Sequence, residues 1–330
     1  MIRSRLAAIT GVTALALALC GMAGAVGTAQ AQAYPSKPIR FVVPFTPGAL
    51  NDLLARLVGE QLGARLGQRV VVDNRPGAGT MLGSDLVAKS AADGYTLLLS
   101  SAPLAINPHL VAKLPFDALR DFSGITQIGA VPFVIVCHPD FSAKSITELV
   151  ALAKAKPGQL VYGATVAGQL MVEMFKSAAK IDITHVPYKG LAPAMVDVMG
   201  GRVHLTLGTY SSLGPHVKSG RLRALAVTSK ARTRIAPDVP SIAEAGYKDF
   251  DGTSWYGMSV ASRTPPAIVA RLHGETTAIL KQPEMERRLN AEGVDIVASN
   301  PAAFDQFIKL ETSRWGKVIK DAGIKAAQEP

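Results

Sequence analysis

The sequence predicts an α/β protein whose mainly parallel sheets carry helices on both faces. Short apolar runs of strand length alternate with longer segments in which apolar residues recur at helical spacing. The alternation continues through most of the chain, with no low-complexity linker and no repeat of fixed period. Such alternation is typical of parallel sheets covered by helices.

The elements follow one another in a regular order from residue 39 onward. The first helix, for example, is predicted because leucines and a valine between residues 51 and 66 share one helical face. After residue 261 the pattern is nearly all helical, and Pro265, Pro283 and Pro301 each stand where a helix can begin. The predicted strands are 39–45, 70–72, 95–100, 160–162, 183–186, 203–207, 222–227 and 255–261, and the earlier predicted helices are 51–66, 81–90, 145–156, 167–179 and 191–199.

The first residues have the pattern of an export signal. Arg3 and Arg5 precede an uncharged apolar stretch, and Ala31-Gln32-Ala33 provides a small-x-small cleavage pattern. We therefore predict a signal peptide over 1–33, a mature chain from Tyr34 and a periplasmic location. A membrane anchor is one alternative, but the stretch is rich in Ala and Gly, whereas a spanning helix needs about 20 predominantly apolar residues. Lipidation at Cys20 is the other; Leu17-Ala-Leu-Cys20 has the leading Leu, but a bulky Leu19 stands where a small residue is usual.

The mature chain is long enough for two lobes of about 100–200 residues each. Because no linker separates them, we expect strands to cross between the lobes, at the apolar runs 125–136 and 255–261. Cleavage leaves Cys137 as the remaining cysteine, so no internal disulfide is expected. Its position after an apolar run favours a buried, inert thiol over a nucleophile.

The charge pattern argues against nucleic-acid binding. The chain has 35 Lys and Arg against 25 Asp and Glu, and loss of Arg3 and Arg5 lowers the net charge from +10 to +8. The basic residues are scattered and form no run. They either give a mild positive field that attracts anionic solutes or only solvate the surface.

Three predicted strand-to-helix junctions are rich in Gly, Pro and small polar residues: 44–52, 74–80 and 162–169. Each leaves free backbone N–H groups beside the positive end of a helix dipole, which makes it a candidate anion site. Ordinary turns are the alternative for any single junction. Asp52 is favoured as a helix-capping residue over a direct ligand contact, because its carboxylate would repel an anion.

Catalytic, metal and cofactor motifs are missing from the sequence. Gly77-x-Gly79-x-x-x-Gly83 is one residue too long for a dinucleotide fingerprint. No nucleophile elbow, zinc motif, C-x-x-C or P-loop occurs, and the dispersed histidines lack metal-ligand spacing. We therefore expect no cofactor, no metal and no enzymatic activity.

Seven short motifs follow one another along the chain: Tyr34-Pro-Ser-Lys-Pro-Ile-Arg40, Val43-Pro-Phe-Thr-Pro-Gly48 with Asp52, Asn74-Arg-Pro-Gly-Ala-Gly79, Asp93-Gly-Tyr-Thr-Leu97, His185-Val-Pro-Tyr-Lys-Gly190, Arg223-Ala-Leu-Ala-Val-Thr228 and Ser254-Trp-Tyr-Gly257. Taken together, these ordered motifs make the chain resemble the Bug/TctC-type receptors of tripartite tricarboxylate transporters over essentially the whole mature length.

The resemblance implies a type II periplasmic-binding fold, with lobe 1 formed by 34–134 plus 256–330, lobe 2 by 135–255, and two crossing strands at the hinge. It also implies a carboxylate ligand, either a di- or tricarboxylate, an amino acid or an aromatic acid, held largely by backbone groups and ordered waters. Carried over by position, the expected ligand-binding residues are Phe45, Thr46, Gly48, Ala49, Asn51, Asp52, Thr165, Ala167, Gln169, Tyr188, Lys189, Gly190 and Gly208.

Several positions depart from the family pattern. Ala49 and Thr80 stand where glycines are usual, and a side chain there costs energy if the backbone needs positive φ. The loop after Tyr162 is about three residues short, and Gln169 stands where a histidine is common. Gly208 replaces a common Asp, so the second half of the pocket is expected to be altered.

The expected function is that of a periplasmic receptor that closes around a small carboxylate and delivers it to membrane transporter subunits, as a monomer. An enzyme on the same scaffold is one alternative, with Thr165, Tyr188 and Asp52 as the candidate groups. The other alternative is a receptor that signals to a membrane sensor instead of delivering its ligand to a transporter.

Overall fold

The computed structural model describes residues 34–324, apart from the side chains of Val166 and Ala167. The predicted signal peptide, residues 1–33, lies outside the described residues. Of the described residues, 37–324 form one compact unit, and all the elements below belong to it. Within residues 34–324, no helix is both long enough and apolar enough to cross a bilayer.

The observed elements follow the predicted alternation closely, and the prolines at 283 and 301 begin helices as expected. The strands are β1 (Ile39–Val43), β2 (Val70–Asn74), β3 (Thr96–Ser101), β4 (Phe122–Cys137), β5 (Val161–Ala164), β6 (Thr184–Pro187), β7 (Leu205–Thr209), β8 (Arg223–Val227), β9 (Thr253–Ala261) and β10 (Asp295–Ile296). The helices are α1 (Leu50–Leu66), α2 (Met81–Ala88), α3 (Pro103–Leu110), α4 (Ile146–Ala155), α5 (Val166–Ala179), α6 (Leu191–Met199), α7 (Tyr210–Lys218), α8 (Pro266–Leu280), α9 (Pro283–Ala291) and α10 (Pro301–Asp321).

The strands lie in the order β2-β1-β3-β9-β4-β7-β5-β6, and β8 and β10 also pair with β4. β1 is parallel to β2 and β3, and β5 is parallel to β6 and β7. β9 runs antiparallel to both β3 and β4, and β4 is antiparallel to β7 and β8. The prediction of parallel strands is therefore confirmed on both sides of an antiparallel centre.

β4 joins two sets of strands. Its residues 122–132 pair with β9, whereas residues 133–137 pair with β7. We call β1, β2, β3, β9, β10 and the first part of β4 the first strand set, and β5 to β8 with the last part of β4 the second strand set. The predicted crossing at 125–136 corresponds to β4, which pairs with strands of both sets. The second candidate, 255–261, lies in β9, which pairs only within the first strand set and begins with Thr253 opposite Pro132.

The long C-terminal helix α10 covers β4 and β9 because its apolar side chains face them. Trp255 of β9 is fully buried and packs edge-to-face on Phe304 and Phe307, with ring centroids 5.7 and 5.5 Å apart. Gly257 is required beneath this helix, since a Cβ there would lie 2.1 Å from the Phe304 ring. The aromatic contacts hold the C-terminal helix against the centre of the sheet.

Candidate functional site

The carboxyl ends of the parallel strands in both sets point toward the middle of β4. At the end of β3, Ser101 pairs with Tyr256 of β9, and Tyr256 pairs in turn with Gly129 of β4. At the end of β7, Thr209 pairs with Phe133. These two strand ends therefore correspond to Gly129 and Phe133 of β4, which are about 13 Å apart along the strand. Loops that follow these strands flank one central segment, which is where ligands bind in open α/β sheets.

The first candidate loop, residues 44–49, is braced by the buried carboxylate of Asp52. The Gly48 N–H donates to Asp52 Oδ2 at 3.0 Å, and Gly48 has a φ of +83° that favours glycine. Arg56 Nε donates to Oδ2 at 3.0 Å, and Asn74 Nδ2 donates to Oδ1 at 3.0 Å. The Asp52 side chain is therefore a structural brace of the loop. It binds a backbone N–H, as expected of a capping residue, but it is not the N-cap of α1, which is Ala49.

Asn74 ties the first candidate loop to the second. Its Nδ2 also donates to the Phe45 carbonyl at 3.1 Å, and its Oδ1 accepts from Arg56 at 3.3 Å. Asn74 ends β2, the strand beside β1, so the sheet itself sets its position. The sequence analysis included Asn74 in a motif but did not predict its hydrogen bonds to the first loop. The ion pair of Asp52 with Arg56 could have been predicted, because the two residues are spaced i,i+4 on one helix.

Asp52 stays ionised within this network. Burial would raise the pKa of its carboxyl, but the hydrogen bonds from Arg56, Gly48 and Asn74 outweigh burial and lower the pKa below its usual value. The Arg56 guanidinium lies 3.0 Å from Oδ1 and balances the charge. The buried negative charge of Asp52 is thus paired with a cation, which reduces its repulsion toward an incoming anion.

The N-terminus of α1 presents unpaired amides. No side chain caps this 17-residue helix, and the N–H groups of Leu50, Asn51 and Asp52 have no acceptor within residues 34–324. Ala49, at the N-cap, has a φ of −74°, so its methyl group costs no backbone strain there. Thr46 and Gly48 are exposed, whereas Asn51 is buried with Nδ2 unpaired in the described structure.

The loop after β5 also leads into the N-terminus of a helix, α5, but here a side chain caps the helix. Thr165 is the N-cap of α5, and its hydroxyl accepts from the Gly168 N–H at 3.4 Å. The Gln169 N–H donates to the Thr165 carbonyl at 2.7 Å, so Gln169 lies in the first helical turn. The side chain of Ala167 lies outside the described residues. The short loop thus leads directly into a helix.

Tyr188 packs into the second strand set instead of standing free. Its ring covers Gly163, where a Cβ would lie 2.6 Å from the ring, and its hydroxyl donates to Asp197 at 2.5 Å. The hydrogen bond to Asp197 raises the pKa of the Tyr188 hydroxyl, and Arg202 also binds Asp197 at 2.8 Å. The observed contacts of Tyr188 are therefore with the core of the second strand set and with Asp197.

The neighbours of Tyr188 differ from it in exposure. Lys189 is exposed and forms no ion pair within the described residues, and Gly190 is the N-cap of α6 with an extended φ of −171°. Gly208 is buried in β7, and a Cβ there would lie 2.4 Å from Leu191 Cδ2. Leu191 therefore occupies the space that an aspartate at position 208 would need.

The second glycine-rich junction is strained. Consecutive residues take positive φ, namely Gly77 at 133°, Ala78 at 47°, Gly79 at 61° and Thr80 at 82°. A β-branched residue at positive φ is unusual and costs energy. The glycine expected at position 80 would suit this backbone, so this departure from the family pattern is costly.

Cys137 is fully buried and has no disulfide partner in the structure. Burial raises the pKa of its thiol to about 11, which keeps it protonated and unreactive at neutral pH. The expected buried thiol is confirmed. Among residues 34–324, no group of His, Cys, Asp and Glu side chains could hold a metal ion.

The structure groups the predicted residues around two helix N-termini. Phe45, Gly48, Asp52 and the α1 amides form one group, and Thr165, Gln169 and the Tyr188 turn form the other. A cavity of about 620 Å³ lies elsewhere, lined by Pro108, residues 111–112, residues 114–121 and Thr312. None of the predicted ligand residues lines that cavity.

Two strand sets joined by a shared strand, with helix N-termini facing their junction, define the class of two-lobe solute-binding proteins. The chain belongs to the tripartite tricarboxylate transporter receptor family, whose model matches residues 54–324. The resemblance drawn from the motifs is confirmed.

Relatives with similar sequences support this assignment. The chain is 37% identical to protein BugT of Bordetella pertussis, over 98% of each chain. It is 33% identical to a solved Rhodopseudomonas palustris protein with adipate, with a TM-score of 0.72 over 88% of this chain and 99% of that one. It is 26% identical to MatC of the same species with bound malate, with a TM-score of 0.69 over 87% and 100%.

Proposed function

We propose that the chain captures a small carboxylate between lobe 1 (34–134 plus 256–330) and lobe 2 (135–255) and delivers it to membrane transporter subunits. Residues 1–33 direct it to the periplasm and are removed. The ligand enters the open form and contacts the amides of the first loop, and the lobes then close about the middle of β4. The division at β4 agrees with the change of pairing partner between Pro132 and Phe133.

The observation that carries this proposal is the unpaired N-terminus of α1. Its free N–H groups stand beside a carboxylate that Arg56 already neutralises, on a loop that leaves β1 toward the centre of the sheet. Hydrogen bonds from such amides to a charged group contribute about 1.5–3 kcal/mol each. A few of them, less the costs of closure, are sufficient for micromolar affinity, about −8 kcal/mol.

The ligand class is supported by the relatives and by charge. Solved relatives hold adipate and malate. Of the predicted groups, the first-loop backbone and the α5 N-terminus are the ones we assign to the ligand. We assign Tyr188 and Gly208 a supporting role, because Tyr188 contacts Asp197 and Gly208 packs against Leu191.

We further propose that the chain is not an enzyme and acts as a monomer. The groups considered for catalysis all have structural partners: Thr165 caps α5, Tyr188 binds Asp197, and Asp52 braces the first loop. The Tyr188 hydroxyl does donate to a carboxylate, but Arg202 binds the same Asp197, and the hydroxyl of Thr165 is occupied by a backbone N–H of α5.

The test is a thermal-shift and calorimetric screen against di- and tricarboxylates, acidic amino acids and aromatic acids. A ligand at about 100 times its dissociation constant stabilises the protein by about 2.7 kcal/mol. Gly48→Asp places a negative charge on the loop and is expected to abolish binding. Gly67→Asp is the matched control, because Gly67 ends the same helix with positive φ and equally open space.

Equal loss of binding in both variants would indicate general damage to α1 and not a site at its N-terminus. Full binding by Gly48→Asp would place the carboxylate elsewhere. Shifts with sugars or cations and none with carboxylates would remove the ligand class itself.

A further inference from the structure

The hydroxyl of Ser101 stands without a hydrogen-bond partner in the described structure. Ser101 ends β3 and is only 5% exposed, yet its side chain forms no hydrogen bond with any residue from 34 to 324. The preceding serine differs, because Ser100 Oγ lies 2.6 Å from Ser259 Oγ of β9. Since buried polar groups normally have a partner, the hydroxyl of Ser101 is a candidate donor to a bound molecule.

The side chain of Ser101 lies on the face of the sheet that α1 covers. Phe41 of β1 faces α1, because a Cβ on Gly59 would lie 3.7 Å from Phe41 Cδ1. Phe41 pairs with Leu97 of β3, and side chains alternate along a strand, so Leu97 and Ser101 share this face. Ser100 therefore points to the opposite face, toward α10.

Ser101 is also level with the start of the first loop. β1 and β3 are neighbouring parallel strands, and Val42 pairs with Leu98. Three residues further along each strand, Phe45 and Ser101 come level, at the strand spacing of about 4.8 Å. The first loop therefore leaves β1 beside Ser101, on its way to the N-terminus of α1.

A second buried donor lies at that N-terminus. Asn51 is 7% exposed, and its Nδ2 has no acceptor among the described residues. Helical side chains lean toward the N-terminus of their helix, so Asn51 in the first turn leans toward the unpaired N–H groups of Leu50 and Asp52. Two buried side chains with unused hydrogen-bonding groups thus accompany the free amides.

Tyr256 is the side chain across from Ser101, and it does not bind the serine hydroxyl. The two residues pair between β3 and β9, so their side chains share one face. The Tyr256 hydroxyl is hydrogen-bonded to Ser254 instead, and burial raises its pKa, which keeps it protonated. Tyr256 therefore closes the β9 side of Ser101 and leaves the side toward the first loop.

We propose that Ser101 is a further ligand-binding residue, whose hydroxyl donates to the same carboxylate group as the α1 amides and the Asn51 side chain. The inference rests on the proposed function and adds a residue of β3 that none of the motifs indicated. A carboxylate has about four lone-pair sites, which is enough for these donors together. Because Arg56 is already bound to Asp52 and Asn74, the donors assigned to the ligand here are neutral.

The two adjacent serines provide the test, because they are expected to respond in opposite ways. Calorimetry with malate, adipate and citrate as probes measures the dissociation constant, and thermal unfolding without a probe measures stability. Ser101→Ala is expected to weaken binding at least about tenfold, equivalent to about 1.4 kcal/mol, with little change in the unfolding temperature. Ser100→Ala is expected to keep the affinity and to lower the unfolding temperature, because it leaves the buried Ser259 hydroxyl unpaired.

A double-variant cycle tests whether Ser101 and Asn51 bind one group. Asn51→Leu removes the amide donor and keeps the approximate size of the side chain. If both residues bind one carboxylate, the loss of affinity in the double variant is expected to differ from the sum of the single losses. Losses that add in full would overturn the shared carboxylate.

Unchanged affinity of Ser101→Ala for a probe that the parent binds, together with lost binding in Gly48→Asp, would overturn this inference and leave the proposed function standing. A fall in the unfolding temperature of Ser101→Ala as large as that of Ser100→Ala would also overturn it, since the hydroxyl would then have a structural partner. A parent that binds none of the probes, nor any acid of the screen above, would remove the proposed function and this inference with it.

Discussion

Thr228 and Phe133 bind each other reciprocally at the point where β4 passes from the first strand set to the second. The Thr228 N–H donates to the Phe133 carbonyl at 2.8 Å, and the Phe133 N–H donates to the Thr228 hydroxyl at 2.9 Å. The same hydroxyl donates to the Gly252 carbonyl at 2.7 Å. One side chain thus joins both places where the chain passes between the strand sets.

Thr228→Val is expected to destabilise the protein by about 1–3 kcal/mol, because it keeps the shape of the side chain but leaves a buried N–H and a buried C=O unpaired. Thr228 is 1% exposed, so water does not replace the lost partners. Urea unfolding measures the loss. Thr228→Ser keeps the hydroxyl and is the matched control; an equal loss in both variants would assign the effect to the methyl group and not to the hydrogen bonds.

Asp52 predicts a distinct pH dependence of stability. Its pKa is lowered in the folded state, so its contribution is present above the unfolded pKa and is lost as the pH falls through the folded value. Asp52→Asn is therefore expected to destabilise the protein near neutral pH and to weaken the loss of stability in acid. Asp140→Asn changes a carboxylate whose side chain is 92% exposed, and unfolding curves at several pH values should match the parent.

How far the sequence predicted the structure depends on the range of the interaction. Helical spacing and proline positions predicted the helices because those signals are local, and β4 was recognisable as a long apolar run. The Asn74 tether and the Thr228 joint were not predicted, because each depends on separate strands meeting in one register. The Tyr188–Asp197 pair was not predicted either, because it depends on how α6 folds back on the turn after β6.

The left-handed turn and the first loop predict different effects of glycine. Ala78 has a φ of +47° and is exposed, so Ala78→Gly is expected to stabilise the protein by about 0.5–1 kcal/mol. Ala49 is the N-cap of α1 and has a φ of −74°. Glycine there frees the unfolded chain but is preferred over alanine at an N-cap, so the two effects oppose each other and Ala49→Gly is expected to change the stability by less than about 0.5 kcal/mol. Paired thermal unfolding of both variants checks the difference; a gain from Ala49→Gly as large as that from Ala78→Gly would mean that the backbone at residue 49 also visits positive φ.

Gly208→Asp tests whether the altered second half of the pocket can be restored. The new carboxylate would be buried and its Cβ would lie 2.4 Å from Leu191 Cδ2, so we expect a loss of more than about 3 kcal/mol from overpacking and charge burial. Adding Leu191→Ala removes the clash and is expected to recover part of the stability, whereas Leu191→Ala alone should destabilise. Chemical unfolding of the single and double variants forms a cycle whose coupling energy isolates this contact. If the double variant loses the sum of the two single losses, Leu191 does not set the size of the residue at 208, and the glycine has another cause.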